Sequence, residues 1–356
     1  MAKNDFQFKI GEKFNPFVIA ELSANHKKSI KRVYKMIDKA IEANVSAIKI
    51  QSYRPDTITL NVKNKNFFIN DKNSLWKNNY LYDLYKKGST PWEWTSKIFK
   101  YAQKKGIICF STPFDETAVD MLEKVNCPIY KIASFELTDH ILLEKVAKTN
   151  KPVILSTGMA TVSEIKESIS VLKKNGSKKI ILLKCTSAYP APLSNLNLLT
   201  IKDMKKKFNC NIGYSDHSIG VSAAITAVTL GATVIEKHFT LSKNDGSLDS
   251  KFSSDPKELK LLVKLCREAK QAIGVIKYGP TQEEKNSIKK RRSLYFKKKI
   301  SKGNIISKDD IGSFRPALGL ETKFYKKIIG KKLLKSTKYG DPVKRNFFKF
   351  DFKTRK

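Results

Sequence analysis

Residues 180–239 read IILLKCTSAYPAPLSNLNLLTIKDMKKKFNCNIGYSDHSIGVSAAITAVTLGATVIEKHF. Three short runs in this stretch, at 180–185, 211–215 and 234–239, are rich in β-branched and other apolar residues and carry polar ones late in the run. Longer segments of helical character separate them. A strand that leads into a helix, and then into another strand of the same kind, is the signature of βα units and a parallel sheet. Working outward, the same alternation places earlier strands at 17–22, 47–52, 107–112, 129–134 and 152–157. Eight strands, each followed by a helix, within roughly 260 residues predict an α/β fold of the (β/α)8 TIM-barrel type. A doubly wound open sheet is the competing arrangement. No Gly-x-Gly-x-x-Gly follows the first strand, which weakens a dinucleotide-binding version of it.

The helices have readable faces. Ile30, Val33, Tyr34, Ile37 and Ile41 recur at the spacing of one buried stripe, and Leu259, Leu262, Val263, Cys266, Ala269 and Ile273 form another. The second has Asp255 as its expected N-cap, Pro256 at its first position and Gly274 at its end. About forty residues separate the second strand from the helix that begins near Trp92. They carry Phe67, Phe68, Trp76, Tyr80, Leu81, Leu84, Tyr85 and the run Thr90-Pro91-Trp92-Glu93-Trp94. A loop so aromatic is expected to pack as a lid or a wall over a substrate rather than to hang as a tether. After Gly274 the pattern changes. We expect a barrel domain over 1–275, a linker over 276–292, and a small, mostly β domain over 293–356 built from short apolar runs and turn signals.

Composition excludes some classes and leaves others open. The 356 residues hold 41% hydrophobic and 29% charged side chains, ordinary globular values that rule out collagen, mucin and coiled coil. Lys plus Arg number 69 against 33 Asp plus Glu, a net charge of +36, and half of that excess lies within 276–356. Such a surface attracts anions, so a nucleic acid or a phosphorylated substrate is a candidate partner, and a lysine-rich coding bias is the plain alternative. The basic residues are not interleaved with aromatics in any nucleic-acid motif. Five widely spaced cysteines form no Cys-x-x-Cys pair, which fits a reducing cytoplasm. The longest largely apolar stretch, 221–235, is too short to span a bilayer.

In a barrel of this kind chemistry collects at the C-terminal ends of the strands. Those ends are unusually polar here. Glu21 and Asn25-His26 follow the first strand; Lys49 and Gln51 lie late in the second; Lys131, Ser134 and Glu136 belong to the fourth. Ser187 and Tyr189 follow the sixth, Asp216-His217 the seventh, and Glu236-Lys237-His238 lies on the eighth. His217 and His238, two of only four histidines, suit a divalent metal such as zinc, manganese, iron or cobalt. Two hydrogen-bonded strand caps without metal are the alternative, and His140 reads as a solvent-facing residue at a helix start. Lys49 and Lys131 sit on buried strands, where an ammonium needs an anion. A substrate phosphate or carboxylate helped by Ser134 and Ser187 would supply it; internal salt bridges to Glu21 or Glu136, or a Schiff-base lysine of an aldolase, are the other readings.

Taken together, the motifs Val18-Ile-Ala-Glu-Leu-Ser-Ala-Asn-His26, Ala47-Ile-Lys-Ile-Gln51, Tyr130-Lys-Ile-Ala-Ser-Phe-Glu136, Ser156-Thr-Gly158, Lys184-Cys-Thr-Ser-Ala-Tyr-Pro190, Gly213-Tyr-Ser-Asp-His217 and Val234-Ile-Glu-Lys-His-Phe239 resemble the sialic acid synthase family. Its members condense phosphoenolpyruvate with an N-acylated amino sugar to give a nine-carbon 2-keto acid. Arg291-Arg-Ser-Leu-Tyr295, Phe314-Arg-Pro316 and Ile329-Gly-Lys-Lys332 resemble the SAF (antifreeze-like) domain that follows the barrel in that family. Thr90-Pro-Trp-Glu-Trp94, Asp249-Ser-Lys-Phe-Ser253 and Lys323-Phe-Tyr325 are similar to the family's pseudaminic branch. That likeness implies 2,4-diacetamido-2,4,6-trideoxy-L-altrose as acceptor, with the N-acetylneuraminate and legionaminate branches as alternatives.

The resemblance also implies roles. His217 and His238 would hold Mn2+ or Mg2+, with Glu21 near the metal-bound water. Lys49, Lys131, Ser134, Ser187 and Tyr189 would contact phosphoenolpyruvate, and Gln51, Glu136 and Asp249 the sugar. Arg315 corresponds to an arginine that one subunit sends into the barrel of the other, so a domain-swapped homodimer is implied. Neuraminate synthases carry Asn where this chain has Ser187.

Overall fold

Strand β1 (Phe17–Glu21) is buried along its whole length. It pairs in parallel with β2 (Ala47–Ser52) on one edge and with β8 (Val234–His238) on the other, so the first and last strands meet. Between them run β3 (Ile108–Pro113), β4 (Tyr130–Ile132), β5 (Val153–Ser156), β6 (Ile180–Cys185) and β7 (Asn211–Asp216). The computed structural model describes residues 8–72 and 74–349. Among them these eight parallel strands close into a barrel in sequence order. Closure excludes the doubly wound sheet. The near-continuous apolar character of the strands follows from burial on both faces, toward the barrel interior and toward the helices.

The helices α1 (Ile30–Glu42), α2 (Pro55–Ile58), α3 (Leu81–Gly88), α4 (Trp92–Lys104), α5 (Glu116–Lys124), α6 (His140–Ala147), α7 (Val162–Lys174), α8 (Thr200–Lys207), α9 (Ser222–Thr229) and α10 (Pro256–Ile273) follow the strands. Helix α1 buries Val33, Met36, Ile37 and Ala40, the stripe that its spacing predicts, shifted by one position toward Met36. Asp255 caps α10 by accepting from the amides of Lys257 and Glu258, and Gly274 ends that helix with φ +52°. The fourth strand is shorter than expected. Ser134–Glu136 turns as a 3-10 helix, which takes Ser134 and Glu136 off the strand at the barrel mouth. The long connection after β2 holds α2, a bridge between Phe68 and Tyr80, and α3.

The chain divides into two compact units, Met1–Gly274 and Val275–Lys356. In the second, β9 (Ser293–Phe296) and β10 (Ile311–Phe314) form an antiparallel pair after the short helix α11 (Lys285–Ile288). Single bridges, Tyr295 to Pro342, Ile300 to Thr337 and Ile305 to Lys332, extend its β character. Leu294, Phe296, Ile306, Ile311, Ile328, Leu333 and Val343 are its core. No helix among the described residues is long and apolar enough to cross a membrane.

Candidate active site

A cavity of about 520 Å³ opens at the C-terminal ends of the barrel strands. Its walls include Lys49, Gln51, Lys131, Ser134, Glu136, Tyr189, His217, His238 and Asp249. Two ammonium groups enter it, and their surroundings differ. Lys49 Nζ is ion-paired with Glu21, lies 3.6 Å from Glu236 Oε1 and donates to Thr112 Oγ1 at 2.9 Å. Burial opposes its charge, but Glu21 and Glu236 outweigh burial and raise its pKa above the usual lysine value. Lys131 Nζ donates only to the Ile132 carbonyl at 2.8 Å and to Ser156 Oγ at 2.6 Å, and among the described residues it has no ion pair. Burial lowers its pKa, with Glu236 opposing and Lys49 adding to the drop.

Around Lys131 the hydroxyls gather. Gly158 N–H donates to Ser134 Oγ at 3.0 Å. A Cβ at Gly158 would stand 2.3 Å from Ser187 Oγ and 2.7 Å from Ser134 Oγ, so the missing side chain is what lets both hydroxyls occupy that place. Cys185 closes the group, its Sγ 4.0 Å from Ser187 Oγ and 3.8 Å from His217 Nδ1. Burial would raise this thiol, but His217 and the Ser134 hydroxyl bring it down to about 7. A buried cation with no ion pair, opening into a cavity that hydroxyls line, is fit to seat an anion.

The histidines stand beside it. The His217 and His238 rings lie 5.3 Å apart, centroid to centroid, and Tyr189 packs 4.4 Å from His217. His217 Nδ1 donates to the Thr186 carbonyl at 3.0 Å, so in the neutral ring Nε2 is the nitrogen with the lone pair. His238 Nδ1 is buried with no hydrogen-bond partner, 3.9 Å from Asp249 Oδ2. Burial, with His217 adding to it, holds the His238 pKa well below the ordinary value, so the ring is neutral. No three His, Cys, Asp or Glu side chains among the described residues converge as a complete ligand set. Burial opposes the His217 charge, but Cys185 and the Thr186 carbonyl outweigh it and raise its pKa. Neutral His238 and a deprotonated His217 would make an open half-site, which fits a divalent ion whose other positions go to water or substrate oxygens.

Loops from both ends of the barrel sequence hold Asp249 in place. Ser23 Oγ donates to its carboxylate, and its amide donates to Asn25 Oδ1 at 3.2 Å. Asn25 Nδ2 in turn donates to the Phe239 carbonyl and to Ser253 Oγ, each at 2.9 Å. The aromatic connection after β2 packs as a cavity wall, as its composition implies: Tyr53, Ile58, Ile69, Trp76, Leu84 and Tyr85 line it. His26 donates from Nε2 to the Gly88 carbonyl at 3.1 Å and sets its ring edge-on to Trp94.

Three of the residues to which the resemblance gives site roles do not line the cavity. Glu21 is fully buried behind Lys49 and acts on the cavity through that ammonium. Ser187 lies behind Gly158, and Arg315 belongs to the second unit. Thr112, Ser156, Cys185, Ser215 and Glu236 also line the cavity, and sequence reasoning did not assign them. Period 2 carries the signal for two of these. Ser215 and Glu236 stand two positions before His217 and His238 and therefore face the same side.

Glu136 gives a pH signature. Burial raises its carboxyl to about 7, with Lys131 opposing. A folded pKa above the unfolded one means that ionisation costs stability: nothing below about pH 4.5, and the full amount above about pH 7. Allowing for partial exposure, Glu136→Gln is expected to exceed the parent by about 2 kcal/mol at pH 8 and to match it at pH 4.5, in denaturant unfolding. A difference that does not change with pH would refute this.

A closed barrel with a cationic anion seat beside two histidines, followed by a small antiparallel unit, defines a two-domain enzyme of the barrel class that handles an anionic substrate. The chain belongs to the NeuB family, whose model matches residues 36–278, and the SAF domain model matches residues 291–349. It is similar to a pseudaminic acid synthase of Campylobacter jejuni subsp. jejuni serotype O:23/36, 45% identical over 94% of this chain and 96% of that one. A pseudaminic acid synthase of Helicobacter pylori is 41% identical over 92% of this chain and 96% of that one. Among solved structures, an N-acetylneuraminic acid synthetase from Leptospira borgpetersenii superposes with TM-score 0.70 at 34% identity, covering 81% of this chain and 94% of that one. The family resemblance read from the motifs therefore holds.

Proposed function

We propose that this chain condenses phosphoenolpyruvate with 2,4-diacetamido-2,4,6-trideoxy-L-altrose and water to give pseudaminic acid and phosphate. Relatives at 45% and 41% identity that carry the name pseudaminic acid synthase support this reading. The observation that carries it is Lys131, a buried ammonium with no ion pair among the described residues, bonded to Ser156 Oγ and lining the same cavity as Ser134. Membership of the family sets aside the Schiff-base aldolase and the nucleic-acid-binding readings.

In this reading Lys131, Ser134 and Ser156 seat the phosphate, Ser187 backs that wall behind Gly158, and Lys49 and Tyr189 bound the rest of phosphoenolpyruvate. Carbon 3 bonds to the sugar's aldehyde carbon, water adds at carbon 2, and the bond from carbon 2 to the phosphate oxygen breaks. The lysines stabilise the charge that collects on departing phosphate. Glu21 and Glu236 both lie against Lys49, but only Glu236 lines the cavity, so Glu236 is the carboxylate placed to take the water's proton. Gln51, Glu136 and Asp249 face the sugar. His217 and His238 would hold Mn2+ or Mg2+, which supplies Lewis acidity toward the aldehyde oxygen. Five free thiols support a cytoplasmic setting.

Phosphate release tests the reading. With phosphoenolpyruvate and Mn2+, we expect release with the L-altrose sugar, little with N-acetylmannosamine, and none with EDTA or in His238→Ala. Preference for N-acetylmannosamine or for a legionaminate precursor would move the chain to another branch. The domain-swapped homodimer has its own test. Mixing inactive Arg315→Ala with inactive Lys131→Met chains should restore about a quarter of the activity, because only mixed dimers hold an intact barrel that receives an intact Arg315. No recovery would exclude the swap.

A further inference from the structure

Two fully buried charges stand next to the histidines but outside the cavity. Asp216 and Lys237 are opposite each other in the β7–β8 register, with exposures of 0% and 1%. Strand parity turns them away from the cavity that Glu236 and His238 line and toward the helix layer. On that side burial pushes the Cys266 thiol of α10 up to about 12, with Asp216 adding to the shift. Lys237 Nζ bonds to Asp216 Oδ2 at 2.8 Å and also donates to the Ser218 carbonyl. Asp216 Oδ1 accepts from Ser218 N–H at 2.8 Å, Ser218 Oγ at 2.6 Å and Tyr214 OH at 3.2 Å.

A buried ion pair is seldom the most stable filling of a core; apolar residues of similar size do as well or better. What the pair provides is position. Asp216 and Ser218 are the residues on either side of His217, and Lys237 is the residue before His238. The network therefore ties the backbone on both sides of one imidazole to the strand that carries the other.

We propose that Asp216, Lys237 and Ser218 form a positioning clamp that sets the separation and aim of His217 and His238 for a divalent cation. The proposal rests on the two-histidine metal reading above. Supporting groups of this kind typically change metal affinity by about 10–100-fold.

The test is Mn2+ binding, read by the electron paramagnetic resonance signal of free Mn2+, together with thermal unfolding of the metal-free protein. The neutral pair Asp216→Asn/Lys237→Met should unfold within a few degrees of the parent yet bind Mn2+ about 10-fold or more weakly. Its kcat should fall, with KM for phosphoenolpyruvate little changed. Ser218→Ala, a smaller change that keeps both charges, should weaken Mn2+ by a few-fold and serves if the pair fails to fold. Unchanged Mn2+ affinity in the variants, with binding lost in His238→Ala, overturns the clamp and leaves the two-histidine reading standing. Unchanged Mn2+ affinity in His238→Ala overturns both.

Discussion

Replacing Lys131 by Met is expected to lower phosphate release by about 10³-fold while raising the stability of the ligand-free protein. The two effects share one cause. Lys131 is 2% exposed and hydrogen-bonds only to a carbonyl and a hydroxyl, so its ammonium has given up water without gaining a carboxylate. Burial lowers its pKa for the same reason. Methionine fills nearly the same volume without the charge, and we expect about 1–2 kcal/mol of added stability in thermal unfolding without substrate. Phosphoenolpyruvate should shift the parent upward, by about 2.7 kcal/mol at 100 times its dissociation constant, and leave the variant unmoved. A variant that is destabilised, or still stabilised by phosphoenolpyruvate, would show that the charge is already matched within the protein.

The second large effect is expected at Gly213→Ala, on stability. Gly213 lies in β7, and a Cβ there would come 2.5 Å from the Val234 carbonyl, 2.6 Å from Leu183 Cδ2 and 2.7 Å from Val234 Cβ. The leucine can turn aside, but the carbonyl is backbone of β8 and cannot. The closest approach of β7 to the start of β8 is thus reserved for a residue without a side chain. Overpacking against backbone is expected to cost about 3 kcal/mol or more, read as a lower urea midpoint with little change in slope. A loss under about 1 kcal/mol would mean that β7 and β8 can move apart freely, which would also weaken the argument that their spacing fixes the histidines.

Much of the barrel is legible in the chain because a strand buried on both faces must be apolar throughout. The runs at 47–52 and 180–185 coincide with β2 and β6. Legibility falls where a polar residue ends a strand early. Ala133 to Glu136 reads as a continuation of β4, yet the 3-10 turn takes over because Ser134 and Glu136 belong at the mouth. The site shows the same division. That Lys49 and Lys131 face one interior follows from strand parity; that Glu21 ion-pairs with one while the other has no ion pair among the described residues depends on register. Glu21 lies opposite both Lys49 and His238, a coincidence created by closing the barrel. Thr112 and Ser156 were passed over because a hydroxyl on a strand gains meaning only from the ammonium that meets it from the neighbouring strand.

The bonds that fasten Asp249 to Ser23 and Asn25 join positions more than 220 residues apart. They lie on the seam where the first and last strands pair, and every contact there has a high loop-closure cost. The histidine of β8 and the acid–lysine pair of β1 and β2 thus come together only when the whole ring has closed. A nascent or partly refolded chain can have most of its helices and strands and still possess no site. Recovery of ligand binding after dilution from denaturant therefore times closure of the seam, and should lag behind recovery of helical circular dichroism.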